Sequence, residues 1–340
     1  MKKLLAGLVM VASTLVAVQV VSGSTPVDEV VVYSARKEHL IKPLFDAYTK
    51  KTGVKIRYIT DSAAPLLARL KAEGSRTPAD ILMTVDAGNL WQAADSGVLA
   101  TLNSKTLQDN IPAHLRDPQN RWYGLSVRAR TIVYNTEALK AEELSSYENL
   151  ADPEWRGRLC LRTSKKVYNQ SLVAMMIARL GEKKTEQIVE GWIDNLAAAP
   201  YGSDNDVMSA IEAGQCDVGI VNTYYFGRLQ KSNPATSLAL FWANQGADEN
   251  GGVHINVSGA GITRFAPNPG GAQALLEWLS SAEAQGMFAG INLEYPVNPD
   301  VAVDPQVVAW GKFKADRQNL STAGELQVQA VMLMDRAGYR

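Results

Sequence analysis

Residues 29–85 read EVVVYSARKEHLIKPLFDAYTKKTGVKIRYITDSAAPLLARLKAEGSRTPADILMTV. Glu29 to Ser34 is β-branched and apolar, the composition of a buried strand. Behind it, Leu40, Ile41, Leu44, Phe45 and Tyr48 recur at helical spacing. Thr52-Gly53 ends that helix, and Val54 to Ile59 reads as a second strand. Pro65 to Glu73 is a second helix closed by Gly74, and Asp80 to Val85 a third strand. Strand and helix in alternation predict an α/β fold around a largely parallel sheet.

The same grammar continues downstream. Strands are expected at Gly157 to Arg162 and Val218 to Asn222, with helices at Asn89 to Ser96, Ser171 to Leu180, Glu186 to Ala198 and Asp206 to Ala213. Further helices are expected at Ala272 to Leu279, Ala282 to Ala289 and Gln318 to Asp335. Two extended runs are longer than the rest, Leu125 to Asn135 and Val253 to Thr263. Neither a repeat nor a low-complexity linker separates the halves. These two runs are therefore the expected crossings between lobes and the candidate hinges.

The N-terminus has its own pattern. Lys2 and Lys3 precede an apolar run from Leu4 to Val21, and small residues follow through Ser24. That is the layout of a cleaved secretory signal peptide over residues 1–24. Its loss leaves 32 basic residues against 35 acidic, a net charge of −3. With no basic excess, nucleic acid is not an expected partner. About 315 residues exceed the usual single core, so two lobes are expected. In an exported chain, Cys160 and Cys216 suggest one disulfide, the alternative being two buried thiols.

Hydrolase, nucleotide-loop and zinc-protease motifs are absent, and His39, His114 and His254 have no partner at ligand spacing. The tyrosines are more informative. Val218 to Arg228 reads VGIVNTYYFGR, a strand running into adjacent Tyr224 and Tyr225. In parallel α/β sheets, ligands bind beyond the carboxyl ends of strands. Both phenols reach one cleft only from an irregular turn or the first residues of a helix; otherwise one packs in the core. Elsewhere, Thr163-Ser164-Lys165 ends a strand and Tyr168 follows at a helix start, a setting that suits an anion. Arg128 and Arg130 share one face of an apolar strand and need a counter-charge, either a bound anion or acidic residues. Three phenolates match the charge of one Fe³⁺, a hard cation that prefers oxygen. Bidentate carbonate, offset by Arg128 or Arg130, would bring the oxygens to five.

With these segments in view the chain resembles the bacterial periplasmic ferric-iron-binding proteins. The resemblance rests on VVVYSAR (30–36), PADILMTVDAG (78–88), WYGLSVRARTIVYN (122–135), WRGRLCLRTSKKVYNQS (155–171), GQCDVGIVNTYYFG (214–227), HINVSGAGI (254–262) and EYPVN (294–298). It implies a two-lobed class II periplasmic binding protein fold with two crossover strands and a ligand cleft between the lobes. One lobe would hold residues 25–129 plus 255–305, the other 130–254 plus 306–340. It implies Tyr168, Tyr224 and Tyr225 as ligands of Fe³⁺. Arg128 would hold a carbonate or bicarbonate, with Arg130, Thr163 and Ser164 close by. The protein would be a periplasmic monomer, not an enzyme, delivering iron to the permease of an ABC importer in the inner membrane. One departure stands at Ser34 to Glu38: some members place a histidine there, and here Lys37 takes its position. Tyr33, Lys37, Asp61 and Asp86 are the candidate contacts from the first lobe. Two other readings remain: a carrier of a small organic anion or a polyamine- or thiamine-like solute, and an exported enzyme using a tyrosine.

Overall fold

A computed structural model describes residues 29–246 and 251–340. The expected signal peptide lies outside them. Among the described residues, no helix is long and apolar enough to cross a membrane.

The first half alternates as β1 (Glu29–Ser34), α1 (Glu38–Thr52), β2 (Lys55–Thr60), α2 (Ala63–Glu73), β3 (Ile81–Val85), α3 (Ala87–Asp95) and α4 (Lys105–Asn110). Gly53 closes α1 at φ 79°, in the left-handed region that glycine enters without a Cβ penalty. Pro65 is tolerated because it falls in the first turn of α2, where an amide has no helical partner. The long strand β4 (Tyr123–Asn135) leads into β5 (Leu159–Cys160), α5 (Val167–Leu180), α6 (Glu182–Asp194), α7 (Asp204–Glu212), β6 (Val218–Asn222), α8 (Thr223–Ser232) and β7 (Leu238–Phe241). The chain returns through β8 (His254–Ile262) to α9 (Pro269–Leu279) and α10 (Ala282–Asn292). It ends with α11 (Pro305–Val308), α12 (Ser321–Glu325) and α13 (Gln327–Arg336).

The strands join in the order β2-β1-β3-β8-β4-β6-β5, with β7 beside β4. β1 runs parallel to β2 and β3, and β5 parallel to β6, while β4 and β8 run antiparallel to their neighbours. β4 pairs with β8 up to Arg130, then with β6 and β7 from Arg130 to Asn135. All of its residues are buried. The change of partner divides two sets of packed side chains. Ala129 is the last β4 residue of the first core, and Ile132 and Val133 belong to the cores on the other side. The molecule is thus two α/β lobes sharing two strands. The first core also takes Leu320, with Phe313 and Ala315 packed against it. Part of the segment expected on the second lobe therefore leans on the first, because its apolar side chains find cover there.

Several elements differ in detail from the sequence reading. The C-terminal helical region breaks at Leu326 into α12 and α13. The helix expected from Glu186 begins at Glu182, directly after Gly181 at φ 80°. Cys160 and Cys216 are bridged, with Cα atoms 6.0 Å apart.

Candidate functional site

β6 ends at Asn222, and Tyr224 and Tyr225 occupy the first turn of α8. Here the helix start, not an irregular turn, aims both phenols into one cleft. Their rings lie 4.5 Å apart at 35°. Asn222 Nδ2 donates to the Tyr224 hydroxyl at 3.2 Å. Tyr168 comes from the first turn of α5, and all three tyrosines border one cavity of about 270 Å³ between the lobes.

Cations surround these rings. Arg128 lies 5.1 Å from the Tyr168 ring centre, with Arg162 and Lys166 at 5.7 and 5.4 Å. Arg228, one helical turn beyond Tyr224, lies 5.0 and 5.5 Å from the Tyr224 and Tyr225 rings. Its guanidinium also donates to Asn292 on the opposite lobe. Burial pushes the Tyr224 phenol well above its usual pKa, and Tyr168 and Tyr225 add to this while Arg128 opposes it. Burial likewise raises Tyr168, again opposed first by Arg128. The Tyr168 and Tyr224 phenols are therefore neutral at pH 7 in this arrangement, and a strong local cation is needed to ionise them.

Arg128 is 2% exposed, yet its contacts are loose. Nη1 reaches Ser258 Oγ only at 3.5 Å; Nη2 lies 3.5 Å from Asp86 and makes no hydrogen bond. A buried guanidinium with unmet donors facing a cavity is suited to receive an anion. Arg130 differs. Its guanidinium is taken up by Asp204 at 3.0 Å, by Asn169 and Asn222, and by the Ile220 carbonyl. Of the two readings the sequence left open, counter-charge from an acidic residue applies to Arg130, which leaves no donor to an anion.

Other expected contacts lie elsewhere. Thr163 Oγ1 accepts from the Lys165 amide and the Ser164 amide donates to the Arg340 carbonyl, so that turn satisfies itself. Neither borders the cavity; Lys166, Val167 and Tyr168 do. Tyr33 is fully buried in the first core, donates to Glu73 at 2.9 Å and lies under Arg69, away from the cleft. Asp61 accepts from the Ser62 amide, and its neighbours Ser62 and Ala63 border the cavity in its place. Asp86 sits behind the cavity wall, accepting from Ser171, Gly88 and Asn256. Lys37 does border the cavity.

Several cavity residues were not found by sequence reasoning, among them Arg36, Lys166, Arg228, Asn292 and Glu294. Arg36 and Glu294 form a buried pair at 2.8 Å, and Arg36 also donates to Ser126 at 3.0 Å. They are 258 positions apart, so no local pattern could join them. Arg228 was detectable, since a helix from Thr223 puts it one turn from Tyr224. Asn292 carries no sequence signal. Among the described residues, no cluster of His, Cys, Asp and Glu could hold a metal.

Residues 76–319 match the model of a family described as bacterial extracellular solute-binding protein. The chain is 40% identical to iron uptake protein A1 of Synechocystis over 92% of its length and 88% of the relative's. It is 28% identical to the Fe(3+)-binding periplasmic protein of Serratia marcescens, over 91% of this chain and 90% of that one. Among solved structures, the Trichodesmium protein IdiA (FutA) in complex with iron and citrate superposes with a TM-score of 0.88. It shares 40% identity and covers 92% of this chain and all of its own. Apo FutA2 from Synechocystis superposes with a TM-score of 0.87 at 41% identity, over 92% and 99% of the two chains.

Proposed function

The chain belongs to the bacterial extracellular solute-binding proteins, and from that premise we propose that it is a periplasmic carrier of ferric iron. One observation carries the reading: Tyr168, Tyr224 and Tyr225 converge on one cavity beside the unmet donors of Arg128. Iron would displace three phenolic protons and gain three anionic oxygens. The second lobe supplies all three tyrosines and would hold the metal first; closure of residues 25–129 plus 255–305 would then cover it. Protonation of the Tyr168 and Tyr224 phenols, favoured by their burial, assists release. Delivery would be to the permease of an ABC importer, by a monomer that does no chemistry on its solute.

Charge counting bears on the anion. Arg36, Lys37, Arg128, Lys166 and Arg228 border the cavity, against Glu294 as the one carboxylate among the described residues there. Iron with three phenolates is neutral, and Glu294 neutralises Arg36. Asp86 stands behind Arg128 at 3.5 Å, and Lys37, Lys166 and Arg228 remain. Carbonate would serve the open donors of Arg128, and the surplus suits an anion of higher charge, such as a polycarboxylate. The same surplus repels polyamines and thiamine-like cations. It is compatible with the second reading, a carrier of a small organic anion.

The test is a visible spectrum of the metal-free protein titrated with chelated Fe³⁺, alone and with bicarbonate or citrate. A tyrosinate-to-iron band saturating at one iron per chain, and weakened in Tyr224→Phe, is expected. A titration without a band, in which an organic anion alone raises the melting temperature, would replace iron by that anion as the solute.

A further inference from the structure

α8 carries a glycine in its interior, Gly227. Such a glycine costs a helix about 1 kcal/mol relative to alanine, so its presence calls for a reason. The reason lies on the flank of the helix, where Leu293, between the cavity residues Asn292 and Glu294, and Trp310 close in. A Cβ at Gly227 would stand 2.5 Å from Leu293 Cδ1, and 2.8 and 2.9 Å from Trp310 Cζ2 and Cη2. The leucine methyl ends a rotatable side chain and can swing aside. The indole cannot. Its Nε1 donates to Gln230 Oε1 at 2.7 Å, and its edge meets the Phe226 ring with centroids 6.0 Å apart. The Trp310 carbonyl is fixed in turn by Trp242 Nε1 at 2.9 Å. Gln306 adds a bond from Nε2 to the Gly227 carbonyl at 2.9 Å.

At 100° per residue, Tyr224, Arg228 and Tyr225 occupy one sector of α8 at the cleft, Phe226 and Gln230 lie on the far side, and Gly227 lies on the flank between them, about 60° from Tyr224. The helix is thus gripped on this flank by the chain just after α11. We propose that Gly227 and Trp310 are positioning residues for metal capture: the indole seated on the glycine sets the roll of α8 and so the heading of both phenols. This rests on the reading of Tyr224 and Tyr225 as iron ligands. A methyl at Gly227 must reach an ordinary carbon–carbon separation of about 3.5–4.0 Å, so the helix shifts by about 1 Å or rolls. Displacements of that size at converging groups carry large penalties.

The experiment compares the native chain with Gly227→Ala, Trp310→Ala and the double variant. Ferric titration is followed by the tyrosinate band, and the melting of each metal-free protein is recorded alongside. Gly227→Ala should remain folded, lose on the order of tenfold or more in iron affinity and shift the band. Adding Trp310→Ala removes the obstacle, so the double variant should bind within about threefold of Trp310→Ala alone. A glycine needed only for folding would lower the melting temperature of metal-free Gly227→Ala and leave the position of the band unchanged. Native-like binding by Gly227→Ala, or a double variant that binds well below Trp310→Ala alone, overturns the proposal. A crystal structure of metal-free Gly227→Ala decides independently of iron. The Tyr224–Tyr225 pair should be displaced relative to Tyr168, and unchanged geometry refutes the positioning role. Absence of any band in the native chain would instead sink the iron reading, and the crystal structure would still decide whether α8 rolls.

Discussion

The Ser171 hydroxyl donates to Asp86 Oδ1 at 2.5 Å, across the division between the lobes. Asp86 follows β3 and caps α3 in the first lobe, and Ser171 sits one turn along α5 from Tyr168 in the second. The same carboxylate takes Asn256 from β8 and lies beside Arg128 of β4. One buried side chain therefore ties both crossover strands to the helix that carries a tyrosine.

Removing that carboxylate should cost far more than removing its partner. Asp86→Ala leaves Arg128 buried without an acid and is expected to lose about 3–5 kcal/mol. Ser171→Ala deletes one bond to a charged group, about 1.5 kcal/mol. Urea denaturation of the metal-free proteins measures both. Equal, small losses would mean that the carboxylate does not anchor the crossing.

The two arginines of β4 should separate into different phenotypes. Arg130→Gln breaks a buried pair with Asp204, though Arg162 still faces that acid at 3.3 Å. A loss of roughly 3 kcal/mol in stability is expected, with the anion dependence of the iron band retained. Arg128→Gln should lose the anion dependence with a smaller change in stability. Titration with and without bicarbonate, beside urea melts, tests the contrast; a reversed pattern would reassign the anion site to Arg130.

His254 should give the fold a distinct pH dependence. Burial, then Arg130, Arg128 and Arg179, holds its folded pKa down at about 3, from an ordinary value of 6.5. A base depressed in this way is neutral when folded and takes up a proton on unfolding between those values. Its contribution is fully present above pH 6.5 and is lost progressively as pH falls toward 3. His254→Gln should therefore flatten the fall in unfolding free energy between pH 6 and 4 by up to about 1.4 kcal/mol per pH unit. Parallel curves for the two proteins would exclude a proton at this site.

The Cys160–Cys216 bridge spans 56 positions and ties β5 to the loop entering β6. Restricting the unfolded chain over that span is worth about 2–4 kcal/mol. The Cys160→Ala, Cys216→Ser double variant should show that loss in urea and still give the iron band. Loss of the band at full folding would instead tie the bridge to the tyrosines.

Local patterns carried the sequence reading a long way and then stopped for identifiable reasons. EVVVYS and DILMTV are runs that only a buried strand explains, and Gly53 marks a helix end by itself. β7 is four residues, Leu238–Phe241, too short for periodicity to separate from a loop. Period-two alternation put Arg128 and Arg130 on one face but could not say that β4 changes partners at Arg130. The Tyr33 hydroxyl turned to Glu73, a choice made by α2 packing on β1 that no stretch around Tyr33 encodes. The tandem tyrosines were visible; the grip beside them, from residues some 80 positions later, was not.

β4 has a further consequence. It is buried from end to end and shared between lobes, its first part completing one core and its last part the others. Neither lobe can melt and leave its neighbour with a full set of strands. The protein should accordingly denature as one cooperative unit, and the amides at the middle of β4 should be among the last to exchange with solvent.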